Sequence, residues 1–449
     1  MTTRGQESPP LRTTWYLIVL TAMWAALSFH WTVLMNNIVP TRVLSFATEA
    51  NKGTALGLVT LLGAFVSMLV GPIAGVLSDE SRLRWGRRRP FLAAGVALNC
   101  VALFALIGAR SFVGFVVAFV AIQFAANFAG SPYTAMLPDQ VADIQKGRAT
   151  GFAGFADVLG RLAGSIFGGF AVSLPALAAW VGVFLPILPQ RIRIDPMLPL
   201  VLVTVVILAG TMLFTVFLAQ EDPPVAGPGP TGHGLLRRAF VFDVRGQASF
   251  GWLLASRAAS MLGITTVTTF LLYYVRDYLG VTDINEANVK LGYLFAASAL
   301  TTLPSALFVG YLVDRDQRRK RWVVWSTTGL AVVSLAFVVT PGFGTALFVG
   351  ALFGLCYGAY FTANWALAMA LLPRGDQAAK YMGIWSIAGT LPMVLAPGIG
   401  GVLLDTFNGI RPNLGYPVVF GTVVIYLAVG TGLLWKVDDP APAQPSSTR

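Results

Sequence analysis

Charged side chains within otherwise apolar stretches are the residues of this sequence best placed to do chemistry. Asp157 and Arg161 lie four positions apart in the apolar run 150–172, so on a helix they share one face and can form an ion pair. Arg257 stands in a second apolar run. A charge in apolar surroundings is costly unless it is paired or hydrated, so these residues are candidates for binding a substrate or a proton. A structural ion pair that joins helices is the open alternative.

Neutral polar side chains recur at helical spacings in two further runs. Tyr357, Tyr360 and Asn364 are separated by three and four positions, and Gln123 and Asn127 by four. Each set therefore forms one stripe on its helix. Amides, hydroxyls and aromatic faces are groups that bind a neutral, polyhydroxylated ligand. Ordinary packing between helices is the alternative interpretation of both stripes.

One of the two histidines, His30, lies beside Trp31 in the first apolar run. An imidazole titrates near neutral pH, which makes His30 a candidate proton site. The indole of Trp31 offers an aromatic face for a ligand. A lone histidine more often serves as a packing hydrogen-bond donor, and this alternative stays open.

The composition predicts that these residues belong to a membrane protein. Of 449 residues, 56% are hydrophobic and only 11% are charged, and the mean hydropathy is +0.71. Soluble domains carry about 25% charged residues. The net charge of +11 would suit nucleic acid, but the basic residues stand in short bursts between long apolar runs, as loops between membrane helices do. We therefore expect a lipid bilayer, and no nucleic acid, as the partner.

Twelve apolar runs approach the roughly 20 residues that a membrane-spanning helix needs. They cover residues 14–40, 53–78, 91–109, 112–136, 150–172, 198–219, 250–275, 289–313, 322–340, 343–372, 380–404 and 415–437. A polar stretch with several prolines separates the sixth run from the seventh. The sequence therefore predicts an all-α integral membrane protein with an N-terminal six-helix half over 1–219, a cytoplasmic linker over 220–249 and a C-terminal six-helix half with a short tail over 250–449.

The basic residues also predict how the chain is oriented. If the N-terminus lies inside, Lys and Arg are far more numerous in the inner segments than in the outer loops, which places both termini in the cytoplasm. The segment 173–197 is apolar but broken by four prolines, so we expect an external cap there. The predicted location is a multi-pass protein of the cell membrane.

Two of the inner loops share a motif. Gly75 and Asp79 recur as Gly310 and Asp314, each 235 positions later. Basic residues follow in both loops, namely Arg87, Arg88 and Arg89 in the first and Arg315 in the second. Glycine allows helices to approach closely, and carboxylate and guanidinium groups can bridge helix ends, so we predict a cytoplasmic gate. The alternative is that these charges only set the orientation of the chain.

A second landmark recurs at the same distance. Ala-Met-Leu-Pro at 135–138 matches Ala-Leu-Leu-Pro at 370–373, again 235 positions later. The two halves are therefore predicted to be parallel structural copies. Glycine ridges at Gly160, Gly164 and Gly168 and at Gly350, Gly354 and Gly358 predict close helix packing in each half.

These motifs resemble those of the major facilitator superfamily, from about residue 14 to residue 437. The first loop ends in Gly-Arg-Arg-Arg-Pro at 86–90, and together with Pro-Tyr-Thr-Ala-Met-Leu-Pro-Asp at 132–139 it resembles the sucrose-transporter and glycoside-pentoside-hexuronide:cation symporter branch. The resemblance implies twelve transmembrane helices in two pseudo-symmetric bundles. It also implies solute transport by alternating access, with a sugar as the solute and a proton as the coupling ion.

Sequence motifs of enzymes and ATP-driven pumps are missing. No glycine precedes a lysine, so there is no phosphate-binding loop of the Gly-Lys-Ser/Thr type. Two histidines cannot build a histidine metal centre, and no Gly-x-Ser-x-Gly nucleophile elbow occurs. We therefore expect no catalytic residues, no cofactor and no metal.

The prediction is a monomeric secondary transporter of a small polar solute, with a sugar or glycoside favoured. An exporter of hydrophobic compounds is one alternative, which would suit the 30 Phe and 11 Trp residues. A non-transporting sensor or scaffold that uses the basic loops at a lipid surface is the other. The polar stripes speak against the exporter, because they would line its binding site with groups that a hydrophobic compound leaves unpaired.

Overall fold

The computed structural model describes residues 11–79, 81, 83, 85–142, 145–171, 189–193, 195–218, 248–316, 318–371 and 378–438. All regular structure within these residues is helical, as the sequence predicts. The described helices of the N-terminal half are α1 (Thr14–Val33), α2 (Val39–Leu44), α3 (Lys52–Asp79), α4 (Arg89–Gly108), α5 (Phe112–Gln140), α6 (Lys146–Ala171), α7 (Gln190–Arg193) and α8 (Leu198–Leu218).

The C-terminal half has the same all-helical character. Its described helices are α9 (Ala248–Tyr273), α10 (Ile284–Asp316), α11 (Arg319–Ala336), α12 (Phe343–Leu371), α13 (Ala378–Ile410) and α14 (Gly415–Leu434). A π-helical turn, Leu34–Ile38, joins α1 to α2, and a second, Tyr274–Tyr278, extends α9. The first apolar run and the seventh therefore each form one long helix.

Eleven helices of the described residues are long and apolar enough to cross a membrane, and α6 is not among them. With 26 residues, α6 is still about 39 Å long at 1.5 Å per residue, which exceeds the roughly 30 Å of bilayer hydrocarbon. It is more polar because it contains the predicted Asp157 and Arg161 site. The predicted twelve long helices are thus all present among the described residues, and eleven of them are also apolar enough to cross a membrane.

The chain divides into two compact units. The first contains α1, α2, α4–α8 and α3 from Val59 onward, and the second contains α9–α14 together with Thr48–Leu58. The linker predicted over 220–249 falls almost entirely outside the described residues, and so does the larger part of the predicted cap 173–197. The domain boundaries at 219 and 250 therefore stay predictions.

Local sequence signals account for several helix ends. Thr13 and Ser111 accept hydrogen bonds from the amides of Tyr16 (3.2 Å) and Gly114 (3.1 Å), which satisfies first-turn donors of α1 and α5. Pro90 lies in the first turn of α4, where its missing N–H costs nothing. Prolines inside α3, α10 and α13 remain compatible with long helices because hydroxyl side chains, neighbouring helices or small local adjustments of the helix can satisfy the backbone groups that a proline frees.

The predicted glycine ridges are confirmed as close helix contacts. A Cβ on Gly160 would lie 2.1 Å from the carbonyl oxygen of Ala25, so α6 touches the backbone of α1. A Cβ on Gly354 would lie 2.0 Å from the carbonyl oxygen of Ser298, so α12 touches α10 in the same way. Only glycine fits at such contacts, which explains why small residues recur every four positions.

Hydroxyl groups reinforce the contact between α10 and α12. Thr301, Thr302 and Ser305 of α10 donate to backbone carbonyls of α12 at 2.6, 3.0 and 2.6 Å. These carbonyls also accept the hydrogen bonds of their own helix, because a carbonyl oxygen has two lone pairs. The ridge therefore holds two helices together by van der Waals contact and by hydrogen bonds.

Candidate functional site

The predicted pair in the N-terminal half forms on α6. Arg161 Nε lies 3.1 Å from Asp157 Oδ2, and the hydroxyl of Ser28 on α1 donates to Asp157 Oδ1. The side chains are 50% exposed for Arg161 and 26% for Asp157. The pair is thus formed as the four-residue spacing predicts, and it is accessible at the surface of this unit.

His30 is enclosed more completely than the pair. Its side chain is 0% exposed, and neither ring nitrogen has a hydrogen-bond partner within the described part of the chain. Its ring centroid lies 5.1 Å from that of Trp31. Among the described residues, the packing hydrogen bond of the alternative interpretation is therefore not made, and the role of His30 in proton transfer stays a prediction.

The polar stripe of the fourth apolar run makes contacts within its helix and with α3. Asn127 donates to the carbonyl of Gln123 at 2.8 Å, and Ser67 of α3 donates to Asn127 Oδ1 at 3.0 Å. Gln123 is buried, and a Cβ on Gly63 of α3 would lie 2.8 Å from its Cγ. These contacts support the packing interpretation for both residues.

In the C-terminal half, Arg257 of α9 lies among neutral groups. Its Nη1 donates to Asn364 Oδ1 of α12 at 3.2 Å, and its Cζ stands 4.0 Å from the ring centroid of Trp385 on α13. The phenols of Tyr357 and Tyr360 lie close enough to interact with the guanidinium. Among the described residues, no carboxylate lies within ion-pair distance of Arg257.

Several donors in this cluster lack a partner. Arg257 Nε, Asn364 Nδ2 and Trp385 Nε1 are buried and make no hydrogen bond within the described residues. The side chain of Asn364 is 0% exposed and that of Trp385 is 1% exposed. Sequence analysis singled out Arg257, Tyr360 and Asn364, and the structure brings them together, whereas it missed Trp385. An aromatic residue in an apolar run carries no local signal that a cation will stack on it.

The predicted gate is described only in part, because the side chains of Asp79 and Asp314 lie outside the described residues. Gly75 of α3 faces Ser131 of α5, and Gly310 of α10 faces Thr362 of α12. The two copies of the motif therefore contact the corresponding helix in each half.

The basic residues of these loops differ in exposure. Arg88 is 5% exposed, and its Nη1 lies 3.3 Å from the hydroxyl of Ser78. Arg87 and Arg89 are half-buried, while Arg315 is exposed. The predicted bridges from the arginines to Asp79 and Asp314 stay untested.

Comparison with known proteins identifies the fold. The family model described as Major Facilitator Superfamily matches residues 11–285 and 253–449. The chain belongs to this superfamily. It is a membrane transporter and not an enzyme, and its helices form the predicted major facilitator fold.

Solved transporters share this fold at low sequence identity. A bacterial homolog of the human lysosomal transporter Spinster, in an inward-facing and occupied conformation, superimposes with a TM-score of 0.71 at 15% identity, covering 94% of this chain and 96% of the other. A D-xylose-proton symporter gives 0.68 at 14% identity, covering 95% and 98%. The nucleoside transporter NupG gives 0.65 at 13% identity, covering 94% and 98%. Such identities establish the fold alone.

Curated relatives match over a shorter segment. The multidrug resistance protein MdtG of Enterobacter lignolyticus (strain SCF1) is 34% identical over 146 residues, which is 32% of this chain and 34% of the relative. MdtG of Salmonella choleraesuis (strain SC-B67) matches equally, with 35% of the relative covered. The chain thus matches about a third of the length of these relatives, and these similarities do not establish the sucrose-transporter branch.

The transporter also contains a charged network that sequence analysis missed. Lys52 lies 2.6 Å from Glu49 and also pairs with Asp277, and Arg276 lies 2.5 Å from Glu49. The hydroxyl of Tyr416 donates to Asp277. The side chain of Lys52 is only 4% exposed, so its charge is compensated by the two carboxylates beside it. We refer to Glu49, Lys52, Arg276 and Asp277 as the loop network.

A carboxylate of α13 caps the start of α3 beside this network. Asp405 accepts hydrogen bonds from the amides of Gly53 (3.0 Å) and Thr54 (2.6 Å). These are first-turn amides of α3, and a negative charge also suits the positive end of the helix dipole. A capping residue 351 positions away has no local signature, so this contact could not be predicted.

Glu49 shows the electrostatic effect of the loop network. Burial alone would raise the pKa of its carboxyl. Hydrogen bonds from Arg276 and Lys52, and the charges of both, outweigh this and place the pKa below its ordinary value of 4.5. Glu49 is therefore ionised near neutral pH and stabilises the two cations beside it.

Proposed function

We propose that this transporter moves a small polar solute across the cell membrane by alternating access. A sugar or glycoside is the solute class that the sequence favours, and a proton is the candidate coupling ion. The observation that carries the proposal is the polar cluster of Arg257, Tyr360, Asn364 and Trp385 within membrane-spanning helices. We further propose that both termini are cytoplasmic and that the chain acts as a monomer.

The free energy of burial supports a polar solute. Each buried donor without a partner costs about 1–3 kcal/mol, and a charge in the membrane costs more. A site that bound only hydrophobic compounds would leave these donors unpaired in the complex as well. A solute with hydrogen-bond acceptors regains this free energy on binding, which is the usual basis for selecting polar ligands.

The Asp157–Arg161 pair bears on ion coupling. Arg161 and Ser28 both donate to Asp157. We propose Asp157 as the first candidate for carrying a coupling proton, with its contact to Arg161 as the element that the solute or a conformational change would alter. His30, buried on α1, is the second candidate for that proton.

For the predicted gate we propose that Asp79 with Arg87, Arg88 and Arg89, and Asp314 with Arg315, hold the cytoplasmic side closed in one state. Asp79→Asn should then slow conformational exchange and leave equilibrium binding within a few-fold of wild type. Exchange can be followed by fluorescence energy transfer between dyes on the two halves. Lost binding with unchanged exchange would contradict the gate.

Export of lipophilic compounds is the second candidate function. It is favoured by one observation, the 34% identity over 146 residues with a protein named for multidrug resistance. The two candidates differ in the solute that they would carry, and so they can be separated in one assay.

Counterflow in liposomes tests the proposal. Purified protein is reconstituted, and uptake of labelled glucose, sucrose and xylose is compared with that of a lipophilic dye, with and without a pH gradient. We expect saturable counterflow of a polar solute and none in protein-free liposomes. Transport of the dye alone would favour the exporter, and absence of all transport by folded protein would favour a sensor or scaffold. A protonophore that abolishes accumulation against a gradient would establish proton coupling.

A further inference from the structure

The positive charge of Arg257 has no counter-ion among the described residues, and a neutral solute would not supply one. Its described surroundings are an amide oxygen, an indole face, two phenols and the backbone of Gly389. None of these is an anion. Cation–π contact contributes about 0.5–2 kcal/mol, which is less than the cost of an unpaired charge inside a membrane-spanning helix. The guanidinium is therefore only partly compensated by its neighbours.

Most of the unmet hydrogen bonds around Arg257 belong to N–H donors, and the exception is the hydroxyl of Tyr360, which can both donate and accept. Arg257 Nε, Asn364 Nδ2 and Trp385 Nε1 are N–H donors, and donors cannot satisfy one another. A ligand rich in acceptors is what this cluster lacks. A hydroxyl both donates and accepts, whereas a carboxylate or phosphate only accepts and adds the missing negative charge.

One edge of the guanidinium makes no hydrogen bond within the described residues. Nη1 is engaged by Asn364, and Trp385 covers a face of the plane. The remaining edge is formed by Nε and Nη2, the pair that binds two oxygens of one carboxylate or phosphate. A Cβ on Gly389 would lie 3.0 Å from Nη2, so a side chain at this position would crowd that edge.

We propose that the solute carries an anionic group, a carboxylate or a phosphate, which binds the Nε–Nη2 edge of Arg257. Asn364 Nδ2 and Trp385 Nε1 supply further donors to it. The proposal rests on the proposed function, because it names the substrate class of that same site. It also distinguishes the two halves, since Arg161 already has a carboxylate of its own.

The first test measures binding without transport. Purified full-length protein in nanodiscs is titrated with sodium acetate and with inorganic phosphate at constant ionic strength, with chloride as the reference, and the melting temperature is recorded. We expect one of the two anions to stabilise the protein, because a ligand that binds the folded state raises its stability. Arg257→Gln should weaken this effect about tenfold or more in apparent Kd, as expected for a charge-assisted hydrogen-bonded contact.

Matched variants separate charge from geometry. Arg321 also stacks on a tryptophan, Trp325, at 4.1 Å, but it is exposed at the start of α11. Arg321→Gln should leave the anion response unchanged. Gly389→Ala keeps the charge of Arg257 and obstructs Nη2, so it should weaken the response about as strongly as Arg257→Gln. If Arg257→Gln fails to fold, the anion response can still be measured in Gly389→Ala, which retains the arginine, and in Arg257→Lys, which retains the positive charge.

The second test measures transport of matched solutes. Counterflow of glucose, gluconate and glucose 6-phosphate is compared in liposomes containing wild type, Arg257→Gln or Arg321→Gln. We expect gluconate or glucose 6-phosphate to exceed glucose, and only Arg257→Gln to abolish the difference. A preference for phosphate should strengthen as pH rises through about 6, where its second proton dissociates, whereas a preference for carboxylate should not.

The outcomes separate this proposal from the proposed function. Equal counterflow of glucose by wild type and Arg257→Gln, without an anion response, would overturn the anionic solute and leave the carrier function standing. An anion response that depends on Arg257, without counterflow of any probe, would overturn the carrier and uphold the anion site. An anion response unchanged in both Arg257→Gln and Gly389→Ala would place the anion elsewhere and overturn the proposal.

Discussion

Arg161 and Arg257 stand in the two halves of the same transporter, but their surroundings are opposite. Arg161 has Asp157 at 3.1 Å and a half-exposed side chain. Arg257 is more enclosed, and its closest described partners are an amide at 3.2 Å and an indole at 4.0 Å. One arginine thus has a counter-ion of its own, whereas the described neighbours of the other compensate its charge by dipoles and a π system.

The difference shows that a charge within a membrane helix does not by itself define its role. A paired charge can be structural, or it can be released when a ligand competes for its partner. A charge without a carboxylate is ready to bind an anion directly. The surroundings of each arginine therefore decide which experiment is informative for it.

The largest expected effect is that of Arg161→Ala, which should reduce transport to background. Stability should change little, by about 1 kcal/mol or less, because the pair is partly exposed and such pairs contribute about 0.2–1 kcal/mol. Counterflow and thermal unfolding measure the two effects. The double variant Asp157→Asn with Arg161→Gln should fold normally without transporting, and full transport by it would reassign the pair to structure.

Asn364→Asp would make the site of Arg257 resemble that of Arg161. The new carboxylate would pair with the guanidinium and compete with the solute anion, so we expect binding of acetate or phosphate to weaken about tenfold or more. Calorimetry on the purified variant measures this change. Asn364→Ser, which adds no charge, is the control and should weaken binding less. Anion affinity equal to wild type in Asn364→Asp would contradict the proposed role of Arg257.

Trp385→Phe should have a smaller effect of the same kind. The smaller ring weakens the cation–π contact and removes the Nε1 donor, so binding should weaken by about three- to tenfold. Trp325→Phe, under the exposed Arg321, is the matched control and should change nothing. A loss in Trp325→Phe equal to that in Trp385→Phe would show that the effect is not local.

The smallest effect is expected in the loop network, where every ion is paired. The pKa of Glu49 is lower in the folded state, so its ion pairs stabilise the protein above the unfolded-state pKa near 4.5, and this contribution is lost as pH falls through the folded-state pKa. The melting temperature of wild type should fall more steeply than that of Glu49→Gln below about pH 5, by on the order of a degree, because Glu49 is 65% exposed. If the melting temperatures of wild type and Glu49→Gln fall equally with pH, the ion pairs of Glu49 do not contribute to stability.

Much of the fold could be predicted because hydropathy is a local property. The apolar runs became helices close to their predicted limits, since a backbone in lipid must satisfy its own hydrogen bonds. The limits were less accurate for α10 (Ile284–Asp316) and α13 (Ala378–Ile410), which extend beyond the predicted runs 289–313 and 380–404. Polar residues continue these helices past the hydrophobic segment, and hydropathy has no signal for that.

The candidate site was predictable only within single helices. Asp157 with Arg161, and Tyr360 with Asn364, follow from spacings of four residues on one helix face. The stacking of Arg257 on Trp385 joins residues 128 positions apart, and the cap that Asp405 forms on α3 spans a still longer separation. Such contacts depend on how each helix is rotated and where it crosses its neighbours.

The sequence by itself therefore determined the membrane-spanning helices, the glycine ridges and the ion pair on α6, because each depends on residues within a few turns of one another. Only the tertiary structure decided that Asn127 bonds to Ser67 of α3, that Lys52 is held in a charged network, and that Arg257 meets an amide oxygen and an aromatic face but no described carboxylate. The physical reason is that hydropathy and helical periodicity act along one segment, whereas compensation of a buried charge depends on which side chains neighbouring helices bring to it.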